Sequence, residues 1–141
     1  MVVLEVKAVM RSKALHAIGA MLIAVVPLVA HHSFSAEYDP TATVTLKGVV
    51  SKVEWSNPHI HIYVDVKDET GKVTTWDAEG GPPNALTRKG VTRNIVNIGD
   101  TITITGFRAR DKSTRVSRFE VTAGDGKKHN FGGAGEFTAV P

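Results

Sequence analysis

The sequence predicts an all-β domain with one short helix, and three observations predict it. Ile60, Ile62, Val64 and Val66 alternate with His59, His61, Tyr63 and Asp65, the period-two pattern of a half-buried strand. Turn signals recur at short intervals: Asn57-Pro58, Glu69-Thr70-Gly71-Lys72, Asp111 to Thr114, and Gly124-Asp125-Gly126. Between Glu79 and Thr101 the alternation stops, and Gly80-Gly81-Pro82-Pro83 introduces a segment with room for a helix.

The elements follow in order. A first strand is expected from Thr43, with Val44 and Leu46 on one face and Val49, Val53 and Trp55 on the opposite parity. Such a phase change at Gly48 predicts a bulge or bend there. The second strand is the alternating run ending at Val66, and a hairpin leads to a third, Val73 to Glu79. Asn84 is placed to cap a helix over Ala85 to Lys89, closed by Gly90, and Thr92 to cap a second short turn. A fourth strand covers Thr101 to about Arg108, with Ile102 and Ile104 inward. A fifth covers Arg115 to Ala123, with Phe119 and Val121 inward, and a short strand follows around Lys128 to Phe131. Three strands, a helix and two strands, with a bent first strand, is the order of an OB-fold-like five-stranded small barrel. The rival is another small antiparallel sheet with one helix.

The first thirty residues read as an address. Lys7, Arg11 and Lys13 precede an apolar run from Ala14 to Val26, and small Ala30 closes the segment. This is the layout of a secretory signal peptide. The run of about thirteen residues is shorter than the roughly 20 that a bilayer span needs. Met10-Arg11-Ser12-Lys13 is a more usual start for such a leader than Met1. Cleavage is expected after Ala30; the competing site after Ala36 puts bulky Phe34 three residues upstream. An uncleaved amphipathic anchor is the alternative. The division is therefore a signal peptide at 1–30, an N-terminal arm at 31–42, an OB-like domain at 43–131 and a flexible tail at 132–141. The expected location is periplasmic or secreted, with no transmembrane span after cleavage.

Composition is consistent with one globular domain: 141 residues, 42% hydrophobic and 22% charged. The absence of cysteine excludes a disulfide scaffold, a zinc ribbon, an iron–sulfur site and a thiol nucleophile. The net charge of +3 hints at a polyanion. Residues 1–30 hold Lys7, Arg11, Lys13 and Glu5, however, so their removal lowers it to +1.

Several runs carry a resemblance: His31-His32-Ser33-Phe34, Leu46-Lys47-Gly48, Val53-Glu54-Trp55-Ser56-Asn57-Pro58-His59, Pro83-Asn84-Ala85-Leu86 and Gly99-Asp100. In that order, from His31 to about Phe131, the chain resembles the small exported bacterial proteins grouped as domain of unknown function 6152. The resemblance implies an exported, OB-like β-protein without an established activity. The chain departs from that pattern at Val91, where an aromatic is usual, and at His61, where a Trp or aliphatic residue is usual.

The sharpest chemical feature depends on the cleavage. With His31 as the mature N-terminus, its α-amine (ordinary pKa about 8) and imidazole can chelate one ion, a donor set that favours Cu(II), with Zn and Ni as competitors. His32 adds a second imidazole. His59 and His61 share one strand face, opposite the Ile60 row, and Asp77 and Glu79 on the next strand offer an oxygen ligand or a hydrogen-bond acceptor. The candidate metal set is His31, His32, His59, His61 and Glu79; no cofactor is assigned, and copper is the ion to test first. The plainer readings are a solvated histidine tail, an arm folded against the sheet through Phe34 and Tyr38, and a His59 that steadies the turn.

A second candidate is the basic hairpin Arg108, Arg110, Lys112, Arg115 and Arg118, with Tyr63 and Trp55 for stacking. It suits an anionic glycan or lipid headgroup in the cell envelope better than a nucleic acid. Its plainer reading is a solvated charged hairpin. No nucleophile elbow or phosphate loop is present, so no catalytic residue is named and an enzyme is not expected. A copper-dependent oxidative enzyme would need a rigid chelate, an open coordination position and a substrate surface. The sequence thus predicts a binding or accessory module with an envelope partner or small ligand.

Overall fold

A computed structural model describes residues 34–132; the expected signal peptide, His31, His32 and the expected tail from residue 133 lie outside the described residues. The chain is mostly β. A one-turn helix α1 (Phe34–Glu37) leads into β1 (Tyr38–Glu54), β2 (His61–Lys67) and β3 (Val73–Glu79). Helix α2 (Pro83–Arg88) and a 3-10 turn (Arg93–Ile95) precede β4 (Thr101–Ala109), β5 (Arg115–Thr122) and β6 (Lys128–Asn130).

The six strands form one sheet in the order β3-β2-β1-β4-β5-β6, and β3 also pairs with β5. That extra pairing closes a five-strand hydrogen-bond ring through β1, β2, β3, β5 and β4. Every pairing is antiparallel except β3–β5, where Asp77 to Glu79 run parallel to Arg115 to Ser117.

β1 can serve two neighbours because it is 17 residues long. Its first part pairs with β4 and its last part with β2. The predicted phase change at Gly48 is not there. Leu46, Gly48 and Val50 all face inward in unbroken alternation, and Val49 is 44% exposed. The register shift falls between Val50 and Lys52, after which Val53 faces the core. Gly48 has a different use. A Cβ there would lie 2.7 Å from Val64 Cγ1, so its missing side chain lets β1 pass close against β2.

β1 also starts at Tyr38, upstream of the expected Thr43. The Asp39-Pro40 turn signal is spent on an irregularity within the strand: the register shifts between Tyr38 and Thr43. The Asp39 carboxylate accepts bonds from Thr41 N (2.9 Å) and Thr41 Oγ1 (2.7 Å).

Two helix caps differ from expectation. Helix α2 starts at Pro83, whose fixed φ suits the first turn, and Asn84 lies inside it rather than capping it. Thr92 precedes the 3-10 turn without a side-chain cap bond. The helix contributes Leu86, fully buried, to a core that includes Ile60, Ile62, Val64, Ile104 and Phe119. Phe131 completes that core just past β6. Its ring stacks on Phe119 at 5.2 Å and meets Trp55 edge-on at 6.5 Å, and its carbonyl accepts from Gly81 N at 2.8 Å. Among the described residues no helix is long and apolar enough to cross a membrane.

Candidate functional site

Burial of Ile62 and Val64 obliges His61, Tyr63 and Asp65 to face outward, since neighbouring side chains on a strand alternate. β3 lies beside them in a register that sets His61 opposite Glu79, Tyr63 opposite Asp77 and Asp65 opposite Thr75. The result is a polar outer face rich in titratable groups.

Both histidines bond diagonally rather than straight across. His61 Nδ1 lies 2.8 Å from Asp77 Oδ1, and His59 Nδ1 lies 2.5 Å from Glu79 Oε1. An ionised carboxylate can only accept, so each ring carries its proton on Nδ1. In the neutral imidazole the Nε2 lone pair is then available, pointing away from the carboxylate. The two histidine–carboxylate dyads are two residues apart, His61 opening β2 and His59 just before it.

Glu79 is held on several sides. Its second oxygen, Oε2, accepts from the Tyr38 hydroxyl at 2.7 Å, and its backbone carbonyl accepts from Ser117 Oγ at 3.1 Å. Tyr38 is almost fully buried. Burial, followed by the bond to Glu79, holds its phenol well above the ordinary tyrosine range. Phe34 stacks on Tyr38 at 5.5 Å and meets Phe107 edge-on at 5.7 Å.

The other side of the face is equally connected. Tyr63 donates to Glu54 Oε2 at 3.1 Å, and its ring stacks near His61 at 6.3 Å. Lys52 pairs with Glu54 at 2.5 Å and sits 5.1 Å from the Tyr63 ring centre. Desolvation, with the charge of Asp77 and the bond to Glu54, pushes the Tyr63 phenol up to about 12. Hydrogen bonds from Lys52 and then Tyr63 hold the Glu54 carboxyl below its usual range. Asp65 accepts from Thr75 Oγ1 at 2.6 Å and Ser51 Oγ at 3.2 Å.

The histidine face thus unites His59, His61 and Glu79 from the expected metal set, together with Asp77; His31 and His32 lie outside the described residues. Among the described residues no group of three or more His, Asp or Glu is placed to hold a metal ion. Both oxygens of Glu79 are already engaged, which fits an orienting acceptor.

The arginines of the second candidate mostly turn to the chain itself. Arg110 Nε donates to Ser35 O at 2.7 Å, and Arg115 lies 3.4 Å from Asp111 and 4.0 Å from Glu37. Arg118 sits 3.9 Å from the Phe34 ring centre, a cation–π contact, with its own backbone at φ +48°. Arg108 lies 5.6 Å from the Trp76 ring centre and donates to Lys112 O at 3.0 Å. Lys112, at φ +60° in the turn, is exposed. Trp55 is packed against the core, away from a stacking role in this hairpin.

In the sequence, Phe34 and Tyr38 read only as residues of a folded-back arm, not as part of the histidine face. No local signal links Tyr38 to Glu79, which lies 41 positions away. The pairing of Asp77 with His61 was visible only as shared parity.

The sequence profile described as "Family of unknown function (DUF6152)" matches residues 20–118. No curated protein and no solved structure matches the chain.

Proposed function

Since the chain belongs to the family of unknown function DUF6152, its role must be argued from its own residues, and we propose that it is an exported binding module for a transition metal, copper first. His59 and His61 act through Nε2, with Glu79 and Asp77 as the acceptors that fix their tautomers. After export and cleavage behind Ala30, the His31 amine and imidazole and the His32 imidazole supply the remaining donors. The five-strand ring is, in this reading, an OB-like barrel. Its strand order β1-β2-β3-β5-β4 and the helix between β3 and β4 support that assignment.

The observation that carries the metal reading is the repeated dyad, with two imidazoles each bonded through Nδ1 to a carboxylate. Metal-binding histidines typically have this outer acceptor, which orients the ring and raises its basicity. The packing of Phe34 beside Tyr38 adds support. The module binds and exchanges metal; it does not turn over a substrate.

The competing reading assigns an envelope polyanion to Arg108, Arg110, Lys112, Arg115 and Arg118. It has less support, because Arg110, Arg115 and Arg118 already contact Phe34, Ser35 and Glu37.

Calorimetric titration of Cu(II) into protein with an authentic His31 start tests the proposal. His59→Ala and His61→Ala are each expected to weaken binding at least tenfold, and one extra residue before His31 to weaken it as well. Unchanged affinity in the His59→Ala, His61→Ala double variant overturns the reading.

A further inference from the structure

Glu79 bridges the histidine face and Tyr38 at the start of β1. One of its oxygens holds His59 and the other holds Tyr38. A carboxylate on a flexible side chain can rotate, and a neutral imidazole it no longer faces is free to exchange Nδ1–H for Nε2–H. Two things oppose that rotation here. The Tyr38 hydroxyl donates to Oε2 from a ring almost fully buried beneath Phe34 and Arg115, and Ser117 holds the Glu79 backbone. A hydroxyl fixed in a buried setting makes a strong, directional bond to a carboxylate.

We propose that Tyr38 is a positioning residue for His59. By locking the Glu79 carboxylate, it keeps the His59 proton on Nδ1 and leaves Nε2 open to a ligand. This inference rests on the proposed metal reading for its purpose but not for its geometry. The chain Tyr38–Glu79–His59 also ties the histidine's readiness to the stacking of Phe34 on Tyr38. His61 is an internal control, since no bond from Tyr38 reaches Asp77 among those of the described residues.

The test is the ring tautomer, read from long-range nitrogen–proton spectra of protein expressed from the full sequence, at a pH where both imidazoles are neutral. In the parent protein, His59 is expected as the Nδ1–H form. Tyr38→Phe keeps the buried ring and its stack on Phe34 but removes the hydroxyl. It is expected to raise the Nε2–H population of His59 severalfold while leaving His61 unchanged. Glu79→Gln, whose amide can present a donor to the ring, is expected to shift His59 in the same direction.

Cu(II) affinity measured on the same samples separates the two claims. A tautomer shift with about tenfold weaker copper binding supports both. A tautomer shift in protein that binds no copper upholds the positioning role and defeats the metal reading. A His59 tautomer unchanged by Tyr38→Phe overturns the positioning role, whatever Glu79→Gln or copper does.

Discussion

Tyr38 and Glu79 stand 41 positions apart in the chain and share a 2.7 Å hydrogen bond. The contact exists because β1 begins early enough to place Tyr38 opposite Ala109, while β3 closes onto β5 beside it. One bond thereby ties the N-terminal end of the described chain to the strand that carries the acids of the histidine face.

Burial of the two phenols, reinforced at Tyr38 by that bond, predicts an alkaline limit to stability. The folded chain holds both phenols, Tyr38 and Tyr63, above their ordinary pKa of about 10. Below pH about 10 the unfolded phenols are protonated too, and the stabilisation is fully present. Above it the unfolded state gains by ionising first, so stability falls as pH rises from about 10 towards and beyond the value of about 12 for Tyr63. Ultraviolet titration should show no phenolate step near pH 10 in the folded protein. A normal step there contradicts the buried Tyr38 geometry.

At the acid end, the turn aspartates set the trend. Asp68 Oδ1 accepts from Thr70 Oγ1 (2.6 Å), Thr70 N (2.9 Å) and Lys72 N (3.0 Å), and these bonds hold its carboxyl below the usual range, the Thr70 hydroxyl first. Asp111 is lowered in the same way by Ser113. A depressed folded pKa contributes stability above about pH 4 and loses it as pH falls through the folded value. Asp68→Ala should therefore lower stability at neutral pH and flatten the acid side of the stability–pH curve, as read by urea unfolding.

Gly48 should not tolerate a side chain. Its Cβ would sit 2.7 Å from Val64 Cγ1 and against the Asp65 backbone, which cannot simply swing aside. Gly48→Ala is expected to destabilise by about 1–3 kcal/mol. A midpoint unchanged in denaturant would mean that β1 and β2 are not this close.

Phe131 lies beyond β6, yet it is fully buried against Phe119 and Trp55. Phe131→Ala should cost about 3–5 kcal/mol, the range for a buried aromatic. Removal of the chain from Lys128 onward should do at least as much harm, measured by the same unfolding experiment. A small effect would detach this segment from the core.

Much of the molecule was legible in the sequence because it is written locally. The alternation Ile60, Ile62, Val64 against His59, His61, Tyr63 assigns faces through the fixed two-residue period of a strand, and the burial follows it. β3 runs from Val73 to Glu79 as the pattern predicts, because Asp68, Thr70 and Gly71 supply the turn that starts it. The outward, shared face of the histidines and Asp77 and Glu79 was equally readable from parity.

Other features have no local signature. Parity brings Glu79 level with His61, but the bonds run diagonally, and that depends on how the two strands pack. Gly48 reads the same whether a glycine bends a strand or lets a neighbour approach; only the position of Val64 decides it. By itself, then, the sequence determined the strands, their faces and their turns, each dictated by the spacing of nearby residues. Tertiary structure decided the closure of β3 onto β5, the use of Gly48 and the bond from Tyr38 to Glu79, because each depends on groups far apart in the chain that meet only once the ring has formed.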